Sequence, residues 1–482
     1  MLKQTVVTRF APSPTGFMHV GALRTGLFAW LVAKQAGGTF ILRIEDTDKN
    51  REVEGSVEHI IQCVRMLGLE YEYGPDKPGA TGPYMQSQRL EIYHEWAKKM
   101  IADGRAYADP YTPEELNHFR EEAKAKKQPF LYRNHRPDNP PVWDGRLPLR
   151  FLSKPRDYSW NDEVMGDLKT GEEVIDDIVL IKSDGYPTYN FAHIVDDAEM
   201  GVTHVIRGQE FISSTPNYLN IYDALSLKYP IFATMPHIMN DQGNKKLGKR
   251  DGAKDVLGYI AEGYLPETML SFIATLGWND GTTQEIYERA DLVEKFSLKR
   301  VQKSGARFDQ RRLQWMNGHF IRELEPKELA LRLERFLSPA AKKAEPIYRQ
   351  AVIELCQDRL KSLSDINTLS NFFFEQPTPD TSLISSHKQL KKLSNAELVG
   401  LLSATHDSLS ETEWSQDAIQ SSLNGLLETT GQKPVILFSI IRIAITWAPF
   451  SPELDKTLVL LGKDEALARI AAAKSVITDR QS

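Results

Sequence analysis

The sequence predicts an α/β protein with a parallel sheet in its first half, followed by an all-helical second half. Three observations carry this. A strand, helix, strand pattern fills the first forty-odd residues. Strand-like runs return between residues 174 and 239, after an irregular stretch. From about Val256 the apolar spacing turns helical and stays so to the end.

Taken in order, VVTRFA (6–11) is β-branched and apolar, as a strand buried on both faces must be. Pro12 and Pro14 stop it. From about Gly21, Leu23, Leu27, Trp30 and Leu31 fall at helical spacing, and Gly37-Gly38 supplies a C-cap. TFILRIED (39–46) is the next strand, completing a βαβ unit. Residues 51–105 look helical, with YGPDKPGATGP (73–83) as a loop. Residues 107–160, rich in Pro, Arg and Trp, break the pattern and read as an insertion. VIDDIVLIKSDGYPTYNFAHIVDD (174–197) returns to strand-like runs around an Asp-Gly turn. HVIRGQE (204–210) and FATMPHIM (232–239) are further strand candidates. FFFEQPTPDTS (372–382) is the clearest late linker.

A chain of 482 residues is too long for one core. Cys63 and Cys356 are too few for a disulfide framework and read as buried thiols in a reducing, cytoplasmic setting. The start, MLKQTVVTRF, enters a strand pattern without a signal-peptide profile. VILFSIIRIAITW (435–447) is short and interrupted by Arg442, so a core helix is expected there rather than a membrane span. The net charge of −6 counts mildly against a polyanionic partner. A polyanion responds to local charge, however, and KRVQKSGARFDQRR (299–312) carries six basic residues and one acid. A solvated helix face is the plain alternative for that run.

The chemistry begins at His19-Val20-Gly21-Ala22, on the sharp turn between first strand and first helix. A helix N-terminus offers unpaired N–H groups and partial positive charge, both suited to phosphate. His19 can donate a hydrogen bond there, and Gly21 permits close approach to the backbone. Downstream, KKLGKR (245–250) presents Lys246 and Lys249. Taken alone, the first is a capping histidine and the second a basic surface loop. Arg9 and Arg207 fall at strand-adjacent positions, and Glu45 lies at the end of the next strand run; a structural ion pair is the plain alternative for each arginine. An arginine fork matches a carboxylate, and an α-ammonium needs an anionic partner.

RFAPSPTG (9–16), RIEDTD (43–48), DGYPTYNFAHIVDD (184–197) and HVIRGQE (204–210), in that order, resemble the bacterial glutamyl-tRNA synthetases. These form a branch of the class I aminoacyl-tRNA synthetases. The resemblance implies a Rossmann-like catalytic domain in two halves, 1–106 and 186–255, around an inserted α+β acceptor-end-binding domain, 107–185. A helical stem-contact domain (256–325) and an all-helical anticodon-binding region (326–482, split near 375–382) would follow. It implies that ATP activates L-glutamate and that the product is glutamyl-tRNA. The substrate carboxylate attacks the α-phosphorus, so the enzyme must stabilise charge building on phosphate oxygens.

By the same resemblance, His19, Lys246 and Lys249 are catalytic, and Gly16, Gly21 and Arg250 join them around ATP. Arg9, Arg207 and Tyr189 would hold the γ-carboxylate, and Glu45 and Ser13 the main-chain end. Asn190 and His193 follow Tyr189 and would line the same pocket. Arg300, Arg307, Arg311 and Arg312 are candidate tRNA contacts, while Trp315 is expected in the core. Mg²⁺ is expected on ATP, so Asp46, Asp48, Asp196 and Asp197 receive no metal. Some relatives carry a zinc cluster in the insertion. Here Asp109 and Tyr111 stand where its cysteines would be, and His135 has no thiolate partners, so no structural zinc is expected.

The expected partners are tRNA(Glu), in some members also tRNA(Gln), with L-glutamate and ATP. No membrane is expected, and the expected state is a cytoplasmic monomer. Two positions depart from the pattern: Gly248 replaces the usual Ser of the Lys loop, and Ala22 stands where many class members have a second His.

Three other readings compete. A short tRNA-modifying relative lacks the anticodon-binding half, yet about 230 residues follow the Lys loop here. A small-molecule nucleotidyltransferase is opposed by the Arg9, Glu45, Arg207 set. An RNA-binding paralogue without activity is opposed by intact His19, Lys246 and Lys249.

Overall fold

The structure is a computed structural model that describes residues 5–248 and 254–480. The chain forms two compact units. The first comprises residues 1–259 and 269–310, the second 260–268 and 311–482.

The first unit opens with β1 (Val7–Phe10), α1 (Val20–Gln35) and β2 (Thr39–Leu42), followed by α2 (Ser56–Met66) and α3 (Leu90–Ala102). β1 and β2 pair in parallel, with Arg9 opposite Ile41. Helix α1 ends as expected, with Gly37 in the left-handed region at φ +60. Its face of Leu23, Leu27, Phe28 and Leu31 is fully buried.

Next come β3 (Ala106–Ala108), α4 (Pro113–Ala125), β4 (Leu149–Phe151), β5 (Tyr158–Asp162), β6 (Gly166–Thr170) and β7 (Val179–Ile181). β3, β4 and β7 form a small antiparallel sheet. β5 and β6 lie inside the stretch expected to be an insertion, yet β5 pairs with a strand of the main sheet. That strand is β9 (Ile231–Met235), reached through α5 (Tyr189–Glu199), β8 (His204–Gly208) and α6 (Thr215–Ala224).

The main sheet runs β2-β1-β8-β9-β5-β6. It is parallel except for the β5–β6 hairpin at its edge. The chain leaves β1 toward β2 on one side, whereas β8 leads to β9 on the other. A topological switch point therefore falls between β1 and β8, where α/β sheets place ligands.

Two local expectations are corrected. Residues 189–197 form helix, not strand. Phe191, Ala192, Ile194 and Val195 are buried at helical spacing, on the helix that follows the strand at Val179–Ile181 after the Asp-Gly turn. The run 232–239 is two strands: Pro236 cannot donate to a ladder, so β9 ends at Met235 and β10 (Ile238–Met239) starts afresh. β10 pairs in parallel with β11 (Ala306–Arg307). Between them lie α7 (Val256–Ala261), α8 (Pro266–Ala274) and α9 (Arg289–Lys295).

The second unit is helical, from α10 (Gln310–Arg322) to the last helix, Lys463–Thr478. It holds two apolar cores. One is built mainly from Leu329 to Phe373 and the other from Ile384 to Ile477, so the change falls at the Pro-containing linker. The helix over Pro434–Thr446 packs Leu437, Ile440 and Ile441 into the second core. No described helix is long and apolar enough to cross a membrane. Trp315, expected in the core, is 49% exposed on α10, because Leu313 and Met316 take the inward face.

Candidate active site

Arg9 and Arg207 occupy the penultimate positions of β1 and β8, at the carboxyl ends of adjacent strands. Both line a cavity of about 740 Å³, together with Ser13, Glu45 and Tyr189. The five residues expected to hold glutamate thus meet around one space.

Beneath it lies a buried ion network. Arg9 Nε donates to both oxygens of Asp197, at 3.1 and 3.3 Å, and its Nη1 donates to the Ile206 carbonyl. Arg43, wholly buried, donates from Nη1 to Asp197 at 2.7 Å and from Nη2 to Glu45 at 2.9 Å. Asp196 accepts from Arg89 at 2.7 Å, Gln86 at 2.8 Å and Tyr93 at 2.9 Å, and lies 3.6 Å from Arg43 Nε. Three arginines face three carboxylates, so the network is neutral within itself, as buried charge must be.

Burial works to raise the Asp197 carboxyl, but Arg9 and Arg43 outweigh it and hold it at about 2. Glu45 goes the other way. Burial pushes it above the ordinary carboxylate value, despite the pull of Arg43 and Arg9. Ser13 Oγ donates to the Glu45 carbonyl at 2.8 Å, and the Glu45 N–H donates to the Pro12 carbonyl, which ties the first turn to the strand end after β2.

Arg207 is different. It is 5% exposed and donates from Nη2 to Thr215 at 2.6 Å. Its guanidinium lies 5.0 to 5.6 Å from the rings of Tyr218, Phe232 and Phe211. Among the described residues, no carboxylate pairs with it. A desolvated cation in aromatic surroundings, open to a cavity and without a carboxylate partner among the described residues, is suited to an acidic ligand.

Tyr189 stacks between His193 (4.7 Å) and Phe211 (5.0 Å). His193 Nδ1 donates to the Tyr189 carbonyl at 2.7 Å, and burial drops its pKa to about 3, so it stays neutral and serves as a packing ring. Asn190 accepts from the Tyr218 hydroxyl at 3.1 Å.

A second cavity, of about 490 Å³, is lined by His19, Gly21, Lys246 and Gly248. His19 caps α1: its Nδ1 accepts from the Ala22 N–H at 3.2 Å, which leaves the ring proton on Nε2. The capping role and a donor role are therefore compatible. Gly21 makes room for that ring, since a Cβ there would sit 3.2 Å from His19 Nδ1. Lys246 forms a backbone bridge with Met239, and Leu247 N–H donates to the Ile238 carbonyl, so the Lys segment returns alongside β10. Lys249 and Arg250 lie outside the described residues. Gly16 lines neither cavity, and space is open at its Cβ.

The remaining carboxylates are engaged. Asp46 accepts from Ser87 N–H and Lys49, both at 2.8 Å, and Asp48 lines the larger cavity. Among the described residues, no group of three or more His, Cys, Asp or Glu could hold a metal ion. In the insertion, Asp109 accepts from Tyr132 at 2.6 Å and Arg150 at 2.6 Å, and His135 stacks on Phe119 at 4.2 Å. Of the basic candidates, Arg307 reaches Asp241 at 3.2 Å, and the Arg300 guanidinium covers Gly281. Arg311 and Arg312 stand in the first turn of α10.

Sequence reasoning passes over Arg43, Arg89 and Gln86. Arg43 has a signal: it lies two residues before Glu45, so both face one side of the extended segment. Arg89 and Gln86 have none, because their partner Asp196 is more than a hundred residues away.

Comparison with known proteins identifies the family. Residues 5–315 match the family model for the catalytic domain of class I tRNA synthetases (E and Q), and residues 328–474 match an anticodon binding domain. A glutamate–tRNA ligase from Clostridium botulinum (strain Eklund 17B / Type B) is 38% identical over 98% of both chains. One from Clostridium tetani (strain Massachusetts / E88) is 39% identical over 96% of both. A glutamate tRNA ligase from Elizabethkingia meningosepticum CCUG26117, solved in complex with its amino acid, superposes with TM-score 0.86 at 30% identity. That superposition covers 98% of this chain and all of the other. With a parallel sheet carrying the paired arginines at its switch point and a helical second half, the chain belongs to the glutamate–tRNA ligases of the class I tRNA synthetases.

Proposed function

We propose that this chain activates L-glutamate with ATP to glutamyl-adenylate and transfers the glutamyl group to the 3′-terminal adenosine of tRNA(Glu). AMP and pyrophosphate are released. The observation that carries the reading is Arg207, a buried guanidinium without a counter-carboxylate among the described residues, on the wall of a cavity. The γ-carboxylate supplies the missing charge, with Arg9 and Tyr189 beside it. Glu45 takes the α-ammonium, and Ser13 fixes the strand end that bears Glu45.

ATP arrives with Mg²⁺ and lies along the His19, Gly21 and Lys246 cavity. His19 Nε2–H and the Lys246 ammonium then meet charge developing on the phosphates as the carboxylate attacks. Lys249 and Arg250 complete the phosphate grip, and Gly16 serves the turn rather than a contact. No covalent intermediate with the protein is required.

Arg300, Arg307, Arg311 and Arg312 meet tRNA phosphates. The acceptor-end role falls to 107–185, the stem contact to 256–325 and the anticodon to 326–482. The enzyme works as a cytoplasmic monomer, and tRNA(Gln) is a second substrate to be tested against tRNA(Glu).

The deciding experiment is glutamate-dependent ATP–pyrophosphate exchange with and without tRNA, followed by charging of the two purified tRNAs. Exchange that requires tRNA, and incorporation of glutamate but not aspartate, is the expected result. Exchange driven equally by neutral amino acids would overturn the reading.

A further inference from the structure

His59, on α2, belongs to neither substrate cavity and has no part in the chemistry above, yet it is joined to both chain segments that hold His19. The N–H of Met18, the residue before His19, donates to His59 Nδ1 at 3.2 Å. On the other side of the ring, His59 Nε2 lies 3.0 Å from Asp255 Oδ1. Asp255 forms an antiparallel bridge with His19, and the next N–H, of Val256, donates to the Met18 carbonyl at 3.1 Å. The same Asp255 oxygen accepts from Gly258 N–H at 3.0 Å, at the start of α7.

The bonding pattern fixes the tautomer. Because Nδ1 accepts from a backbone N–H, the proton sits on Nε2 and is donated to Asp255. One imidazole thus satisfies an acceptor demand from the His19 turn and a donor demand from the strand-like segment paired with it. The ring is held flat by Phe17, stacked on it at 4.8 Å with 26° between planes, and its side chain is 11% exposed. Cys63 Sγ lies 3.6 Å from Nδ1 and closes the remaining side. Asp255 answers this environment: burial acts to raise its carboxyl, yet the His59 hydrogen bond and the Gly258 N–H hold it below the ordinary value.

We infer that His59 is a positioning residue for His19, locking the turn before α1 to the segment at Asp255 so that the His19 imidazole faces the phosphate cavity. This rests on the activity proposed above. A catalytic donor misplaced by about an ångström loses much of its effect on the transition state, whereas binding of the amino acid in the other cavity is untouched.

His59→Phe keeps the stack on Phe17 and the buried volume but removes both hydrogen bonds. His59→Gln restores a donor toward Asp255. The measurement is kcat, and KM for glutamate, in tRNA-dependent ATP–pyrophosphate exchange. For His59→Phe, kcat is expected to fall about tenfold or more, with glutamate KM within about twofold; His59→Gln should recover several-fold.

If His59→Phe does not fold, His59→Asn replaces it. Asn keeps an acceptor for Met18 but cannot reach Asp255, so its kcat must lie below that of His59→Gln. Wild-type kcat in His59→Phe, a matching rise in glutamate KM, or no gain from Gln overturns the role. Wild-type protein without any glutamate-dependent exchange sinks the proposed activity itself, and this role with it. Active wild-type protein beside an unaffected His59→Phe sinks only the role.

Discussion

Arg9 and Asp197 form a two-point pair, with the arginine Nε 3.1 Å from one carboxylate oxygen and 3.3 Å from the other, and both side chains almost wholly buried. The pair aims the Arg9 guanidinium, whose Nη2 has no hydrogen-bond partner among the described residues, at the wall of the larger cavity. Removing the carboxylate leaves Arg9 and Arg43 short of a counter-charge in a place that water does not reach. Asp197→Asn is therefore expected to cost about 3 kcal/mol of folding stability, measured by urea denaturation at neutral pH. It should also raise glutamate KM about tenfold.

The same pair predicts an acid limb. The folded Asp197 carboxyl titrates at about 2, below the ordinary value of about 4 in an unfolded chain. Its folded pKa is depressed, so its contribution is complete above about pH 5 and is lost as the pH falls toward 2. The amount is on the order of 2 kcal/mol. Asp197→Asn lacks this limb, so the stability gap between variant and wild type should narrow as the pH is lowered from about 5 to about 3. A gap that stays constant in urea melts across that interval would refute it.

Arg207→Lys retains the charge but loses the planar fork and the reach to Thr215. Loss of about a hundredfold in kcat/KM for glutamate is expected, carried mostly by KM. Steady-state kinetics on the purified variant, with melting temperature as a control, decides it.

The proposed hold of Glu45 on the α-ammonium requires its carboxylate form, and burial lifts its carboxyl above the ordinary range. As pH is lowered, Glu45 therefore gains a proton before exposed carboxylates do, and glutamate KM should climb. Glu45→Gln should show a high KM that no longer changes across that range. A wild-type KM that is flat down to the ordinary carboxylate range contradicts the assignment.

Trp315 is half exposed and so contributes little to the core. Trp315→Ala is expected to shift the melting temperature by no more than about a degree or two, about 0.5 kcal/mol or less. If its ring packs against RNA, the KM for tRNA should rise several-fold while glutamate KM holds. An unchanged tRNA KM would leave it as an incidental surface ring.

Local signals are legible wherever neighbours in sequence do the work. The strand at Val7–Phe10, the helix that Gly37 ends, and the middle of the expected 372–382 linker, of which 372–374 is helix, follow from β-branching, helical spacing and Gly or Pro chemistry acting within a few residues. Arg9, Glu45 and Arg207 are singled out by the resemblance of the motifs that carry them, and the structure sets Arg9 and Arg207 near the carboxyl ends of their strands. By contrast, residues 189–197 read as strand because they continue the run that holds the strand at Val179–Ile181, although Phe191, Ala192, Ile194 and Val195 fall at helical spacing among polar residues. Trp315 reads as core because the inward face of α10 is settled only by how Leu313 and Met316 pack.

What the sequence determined alone was the alternation of strand and helix, the helical second half, and the residue types able to meet phosphate and carboxylate. Tertiary structure alone decided which charges cancel. Arg43 meets Asp197, and Arg89 meets Asp196, across more than a hundred residues of chain, and only this mutual neutralisation leaves Arg207 as a cation without an anion among the described residues. The physical reason is that electrostatic pairing depends on distance in space and on the exclusion of water, and neither quantity is written in the order of residues.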